Sequence, residues 1–421
     1  MKRTMTIVAA ILAATSSFSQ VTVLKCGRLI DGRLDHVIEN ATVLVVGNII
    51  KNAGQDIRLP HEVEVIDLSG YTVLPGLIDC HTHITGEIEN YYDDTFRKSP
   101  IDYAVRAHIF ARRTLEAGFT TCRDVGAGEF VDVALKKAIN AGFVVGPRLF
   151  VAGHALSSTG GHGDLSGFSP YLQFDNFDGV VDGVDEIRKK IRWNIKYGAD
   201  LIKFTATAGV LSEEESVGAP QFSFEEMKAI VEEAAMWGRK VAAHAHGAEG
   251  IQRAVQAGVA SIEHGSLIDE EAAQMMKEKG TFLVPTEYVL DAVIAKGEAW
   301  KLADRSIQKA KSLLGHKRDG LRMAIKAGVK IAYGTDSGVF PHGNNAADFP
   351  LLVDAGMTPM QAIKSATTVA AELLDMTGKL GEIRQGAYAD IIAVKGNPLE
   401  DITLLKNVSF VMKDGKVYKR E

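Results

Sequence analysis

The chain has 421 residues, which leaves room for two or three ordinary domains of about 150 residues each, or for one large barrel with a satellite. Apolar residues make up 46% and charged residues 24%, a balance that excludes a disordered, collagen-like or coiled-coil chain. Lys and Arg total 47 against 53 Asp and Glu, a net charge of −6, and without a long basic run this gives no footprint for nucleic acid.

The chain opens with Lys2 and Arg3, an apolar stretch from Met5 to Ala14, and a small, polar segment ending in Ser17-Phe18-Ser19. That is the pattern of a secretory signal, cleaved near Ser19 or Gln20. Its apolar run is too short to span a membrane. The expectation is an exported protein, periplasmic or secreted, with residues 1–20 removed. Residues 21–73 follow as short β-rich runs, "VTVLKCGRLIDG", "ATVLVVGNII" and "VEVIDLSG", and similar runs return in residues 379–421 as "ADIIAVKG", "VSFVMKDG" and "KVYKRE". Neither group can bury a sheet face alone, so one small β-sandwich built from both chain ends is predicted.

Residues 74–378 carry an internal repeat. Helical stretches end at Gly118, Gly142, Gly198, Gly238, Gly258, Gly280 and Gly328, each followed by an apolar strand. Glycine is needed where a helix C-terminus turns through a left-handed residue. With "TVLPGLIDCHTH" in front, the strands number eight. Eight strands alternating with helices predict an α/β fold of the (β/α)8 TIM-barrel type, with a doubly wound open sheet as the alternative. Cys26, Cys80 and Cys122 each sit in an apolar run and are expected as buried thiols rather than a disulfide framework.

In such a barrel the chemistry gathers at the C-terminal ends of the strands. His81 and His83 end strand 1, Lys203 lies in strand 4, His244 and His246 end strand 5, His264 ends strand 6 and Asp336 ends strand 8. Residues i and i+2 of a strand share a side and can grip one ion together. A buried Lys and Asp are costly unless paired. Lys203 is either salt-bridged to Asp336 or Asp124, or neutral and carboxylated by carbon dioxide to an N6-carboxylysine whose oxygens bridge two divalent ions.

This ordered series, "HTH", Lys, His, His and "GTDSG", resembles the amidohydrolase superfamily with a binuclear metal centre. "VLPGLIDCHTH" at the front, with "GMTPMQAIKSATTVAAELL" and "GEIRQGAYADIIAV" at the back, extends the resemblance over nearly the whole mature chain. Within the superfamily the chain most resembles the imidazolonepropionase-like branch, which includes Xaa-Pro dipeptidases, related metallocarboxypeptidases and ochratoxin-type amidases. The resemblance implies that His81, His83 and Asp336 hold one ion, that His244 and His264 hold the other, and that carboxylated Lys203 bridges them. Zinc suits these ligands. Lys203 argues against single-ion deaminase chemistry.

On this basis two ions activate a shared water, Asp336 carries its proton to the leaving amine, and no Ser or Cys nucleophile is needed. His162, in "SSTGGHGD" after strand 3, stands ready to bind a carbonyl oxygen or a carboxylate. Four further residues are candidate substrate contacts: His246 where strand 5 passes into its loop, Tyr288 ending strand 7, and His154 and His342 on rim loops. The predicted substrate is a small molecule, a dipeptide or N-acyl amino acid. A cyclic-amide or lactone hydrolase, or a catalytically silent binding barrel, are the alternatives. Barrels of this kind often pair, which leaves a homo-oligomer open.

Overall fold

Alternating apolar and polar residues place strands at both ends of the chain. The computed structural model describes residues 20–60, 63–172 and 179–421. The expected leader lies, apart from Gln20, outside the described residues. Among those described, no helix is long and apolar enough to cross a membrane.

The front of the chain forms β1 (Val21–Leu29), β2 (Ile38–Glu39), β3 (Thr42–Val46), β4 (Ile49–Gly54) and β5 (Glu64–Pro75). The repeat region supplies β6 (Leu77–Thr82), β7 (Phe119–Asp124), β8 (Arg148–Val151), β9 (Leu201–Thr205), β10 (Lys240–Gly247), β11 (Ser261–Leu267) and β12 (Phe282–Val284). The chain ends in β13 (Ile391–Lys395), β14 (Val408–Lys413) and β15 (Lys416–Arg420). The strands of the two ends lie in one eight-stranded sheet, ordered β15-β14-β13-β5-β1-β3-β4 with β2 beside β1. The expected sandwich is thus a single unbroken hydrogen-bonded path. Its cause is β5, which is long enough to pair parallel with β1 and antiparallel with β13. Leu24, Val43, Ile66, Ile391 and Phe410 share one apolar cluster on it. β5 also runs through the expected boundary at residues 73 and 74.

Between the strands run α1 (Tyr91–Arg97), α2 (Pro100–Glu116), α3 (Val131–Asn140), α4 (Gly183–Tyr197), α5 (Phe224–Met236), α6 (Ala248–Ala257), α7 (Glu270–Lys279), α8 (Tyr288–Lys296) and α9 (Asp304–Ala327). They are followed by α10 (Asp348–Asp354), α11 (Pro359–Ser365) and α12 (Thr368–Leu373). Ser99, Ser223 and Thr358 start α2, α5 and α11 with reciprocal capping boxes, which satisfy N–H groups that no helical carbonyl can reach. All seven repeat glycines have positive φ, between 64° and 118°, as their place between helix and strand requires.

β6-β7-β8 and β9-β10-β11-β12 form two parallel sheets. Regular ladders therefore do not run unbroken round a ring. The sheets are linked by single bridges, Leu156 to Phe204 on one side, and Leu283 to Ile331 and Thr82 to Ser337 on the other. The expected eighth strand is this last bridging segment, and Asp336, at φ 65°, takes it out of extended geometry. Cys26, Cys80 and Cys122 are free and buried.

Arg148 of β8 ties the parallel strands to the mixed sheet. It pairs with Asp390 and Asp414 and lies 4.6 Å from the Tyr388 ring centroid. Asp390 is buried, so Arg148→Met should cost about 3 kcal/mol by leaving a buried carboxylate without its cation. Urea unfolding measures this, and a cost below about 1 kcal/mol would mean that the clamp is solvated in effect.

Candidate metal centre

A neutral imidazole has one N–H and one lone pair, so whatever accepts its proton decides which nitrogen is left for a ligand. His81 closes β6, and its Nδ1 lies 2.8 Å from Oε2 of Glu263 in β11. Burial by itself would raise the Glu263 carboxyl, but Arg123 and then the His81 hydrogen bond hold it down at about 2. Arg123 Nη2 donates to Glu263 at 2.7 Å, and the Ser261 hydroxyl donates to it at 2.5 Å. Glu263 is therefore an acceptor, and His81 Nδ1 must donate to it. His83 Nδ1 likewise donates to the Gly126 carbonyl at 2.9 Å. Both Nε2 lone pairs are left facing Asp336 Oδ1, at 3.5 and 3.4 Å. Burial lowers both histidines to about 4, so each stays neutral at pH 7.

Two imidazole lone pairs and a carboxylate oxygen at such distances repel unless a metal cation, or a proton on the carboxyl that burial raises, sits among them. Beside them stands a second group, His244, His246 and His264, whose ligand atoms lie within 4.8 Å of one another. The two groups meet at His81 and His264, with ring centroids 4.9 Å apart. Burial pushes all three histidines of the second group well down. His264 Nδ1 lies 2.7 Å from Thr286 Oγ1, and His246 Nδ1 lies 2.8 Å from Ser266 Oγ. Nε2 of His244 is buried with no hydrogen-bond partner, a donor set and an orphan lone pair that fit a divalent ion.

Lys203 of β9 lines the same cavity of ≈ 230 Å³. Among the described residues it forms no ion pair with Asp336 or Asp124, contrary to the salt-bridge alternative. Asp124 instead accepts from the Ile84 and Gly126 amides at 2.5 and 3.3 Å. Burial lowers the lysine to about 8, against the pull of Glu263 and Asp336. His162 stacks on His244 at 4.1 Å, and its Nδ1 lies 2.6 Å from Ser212 Oγ. Gly209 allows this: a Cβ there would stand 2.5 Å from His162 Cε1 and 2.8 Å from His244 Nε2.

Backbone strain concentrates here. His264 has φ 72°, Thr286 φ 50° and Asp336 φ 65°. Non-glycine residues in this region cost of the order of 1–3 kcal/mol each and persist where their surroundings over-determine them.

Four expected substrate contacts are placed differently. His246 lies inside β10 rather than in a loop, stacked on His264 at 5.0 Å, and it joins the second histidine group. Tyr288 does not end a strand; it starts α8, packs edge-on against Phe340 at 5.1 Å and does not line the cavity. His154 is buried against Phe130, ring centroids 4.3 Å apart, and its carbonyl accepts from Asn194 Nδ2. His342 donates from Nε2 to the Gly86 carbonyl at 2.9 Å and packs on Phe110. Both are held by the scaffold, away from the cavity. Glu263, Arg123, Ser261, Thr286 and Ser212 escaped the sequence reading. The available signal was a charge inside an apolar strand, as in "TTCRD" and "ASIEHG".

The Amidohydrolase family model matches residues 72–418. Ochratoxinase of Aspergillus niger is 37% identical over 434 aligned positions, covering 97% of this chain and 89% of that protein. A crystal structure of a Xaa-Pro dipeptidase with methionine bound in its active site superposes with a TM-score of 0.91 at 42% identity, covering 95% of this chain and all (100%) of the other. A prolidase complexed with N-methylphosphonate-L-proline gives 0.90 at 36% identity, over 96% and 100% of the two chains.

Glu263→Gln should weaken divalent-ion affinity about 10- to 100-fold by removing the anion that sets the His81 tautomer. Competition with a chromophoric chelator reads this directly, and an unchanged affinity would dismiss Glu263 as a support of the ligand.

Proposed function

The chain belongs to the amidohydrolase family, and from that premise we propose that it is a metal-dependent hydrolase cleaving the amide bond of dipeptides or N-acyl amino acids. The observation that carries this is the convergence of unprotonated His81 and His83 nitrogens on Asp336, beside a second histidine group. The dipeptidase, prolidase and ochratoxinase relatives support an amide substrate, and methionine and a prolyl phosphonate in two of the similar structures support a ligand with an amino-acid end. The bridges at Leu156, Leu283 and Thr82 support closure of the two parallel sheets into a (β/α)8 barrel.

Two divalent ions, zinc by ligand type, would be held by His81, His83 and Asp336 and by His244 and His264, with carboxylated Lys203 between them. Lys203 reaches that state when its neutral amine attacks the carbon of carbon dioxide and loses a proton. Burial brings Lys203 down to about 8, which puts the neutral amine within reach near neutral pH. When bound, such ions acidify a water and polarise a scissile carbonyl.

The chain's own residues do the rest. Asp336 accepts the proton released by the attacking water and delivers it to the leaving amine nitrogen. His162, oriented through Ser212, uses its other ring nitrogen to bind the carbonyl oxygen or the substrate carboxylate. Burial lowers His162 to about 3, so it acts as a neutral hydrogen-bonding group. Val210, Leu211, Val289, Leu290 and Val293 wall the cavity, exclude bulk water and receive an apolar part of the substrate. The leader in residues 1–20 supports export, periplasmic or secreted, where such an enzyme scavenges peptides.

Zinc-supplemented protein screened against dipeptides and N-acyl amino acids should release free amino acids with a preference for particular C-terminal residues. Silence across that library from protein holding about two ions would move the assignment to cyclic amides or lactones. Lys203→Ala should lower kcat/KM by more than about a hundredfold and reduce metal content, a larger effect than losing an outer support. Unchanged turnover would remove the bridging role. Chelation should abolish activity and added zinc restore it; activity that survives complete chelation rules out a metal-dependent reaction.

A further inference from the structure

We propose that Lys317 is a positioning residue for His264, acting through Thr286; this rests on the reading that His244 and His264 hold an ion. Lys317 stands on α9, is 1% exposed and lines the same cavity as His264. Its ammonium donates to the Thr286 carbonyl at 2.6 Å and to the Thr286 hydroxyl oxygen at 3.2 Å. That hydroxyl oxygen lies 2.7 Å from His264 Nδ1. One cation thus grips both the backbone and the side chain of the residue that meets the imidazole.

Thr286 needs that grip. A β-branched residue at φ 50° is an outlier that its own local preferences would not adopt. Holding the carbonyl fixes the peptide plane, and holding the hydroxyl fixes the rotamer. The His264 ring is then pinned at Nδ1, and its other nitrogen is left for a ligand in the cavity. Without the pin, His264 would rotate about a backbone that is itself left-handed, at φ 72°.

A buried ammonium is also an expensive way to fill space, because an apolar side chain of similar volume avoids the desolvation. Negative charge is at hand from Glu287 and Asp348, which have the buried oxygens Oε1 and Oδ2 without hydrogen-bond partners. Neither forms a direct ion pair with Lys317 among the described residues, whose donated hydrogen bonds go to Thr286 instead. Simple neutralisation of those carboxylates would not require that geometry.

Metal content per chain, read by elemental analysis after dialysis against a weak chelator, tests the proposal. The wild type should hold about two ions, and Lys317→Met and Thr286→Val about one each, with kcat down at least tenfold or so and KM moving less. Thr286→Val keeps Lys317, its charge partners and the branched shape, so it decides the matter if Lys317→Met fails to fold. Lys317→Arg, which can still donate to Thr286, should retain the second ion. Two ions and full kcat in Thr286→Val would overturn the positioning role and leave the metal-hydrolase reading standing. A wild type that takes up no ion would overturn both.

Discussion

A carboxylate that is fully buried and still ionised governs the centre of this protein. Glu263 can stay charged because Arg123 and Ser261 face it on one side and His81 faces it on the other. Its charge compels His81 to carry its proton on Nδ1 and donate it there, and the lone pair on the opposite nitrogen follows from that. The residues involved come from β6, β7 and β11, so the parallel strands must be in register before His81 is correctly oriented. Arg123 also donates from Nε to the Cys80 carbonyl at 2.5 Å, which ties the guanidinium to the strand that carries His81. The geometry of the histidine cluster and the packing of the strands are therefore one problem here.

The same dependence explains where strain is tolerated. His264 within β11, Thr286 just beyond β12 and Asp336 on the bridging segment that follows each have a fixed side-chain partner. Asp79 reinforces the last of them: it accepts from the Thr335 hydroxyl at 2.6 Å and from Asn345 Nδ2 at 2.8 Å, which locks the segment before Asp336 against β6. Burial pushes Asp79 up to about 6, against the hydrogen bonds from Thr335 and Asn345. Left-handed turns at these points bend the chain over the cavity and bring side chains from separate strands to one place. Extended geometry would have carried them past it.

Much of this was legible before any coordinates. The seven glycines were readable because a left-handed position after a helix excludes almost every other residue. The gathering of these side chains at one cavity was readable because histidine, lysine and aspartate are out of place in apolar strands. Glu263 and Arg123 were not readable: strands buried on both faces lose the alternation that says which way a side chain points, and Glu263 lies 182 residues from His81 and 140 from Arg123 in sequence. His154, His342 and Tyr288 were misplaced for a related reason. A histidine beside a strand end has the same local sequence whether it faces the cavity or, like His342, hydrogen-bonds a neighbouring loop carbonyl. His246 went the other way, because β10 runs two residues further than its apolar core suggested.

The long strand β5 sets the order in which the molecule can be assembled. One edge of β5 pairs with β1 from Glu64 to Val73, but the second half of its other edge pairs with β13, and the Thr72 hydroxyl donates to the Gly396 carbonyl 324 residues away. On a ribosome, one edge of β5 stays open until almost the entire polypeptide has emerged. Closing so large a loop costs conformational entropy before any contact rewards it, and topologies of this kind fold slowly. The mixed sheet is thus a late-closing seal, and a truncation near the C-terminus would leave a bare strand edge prone to pairing with other chains.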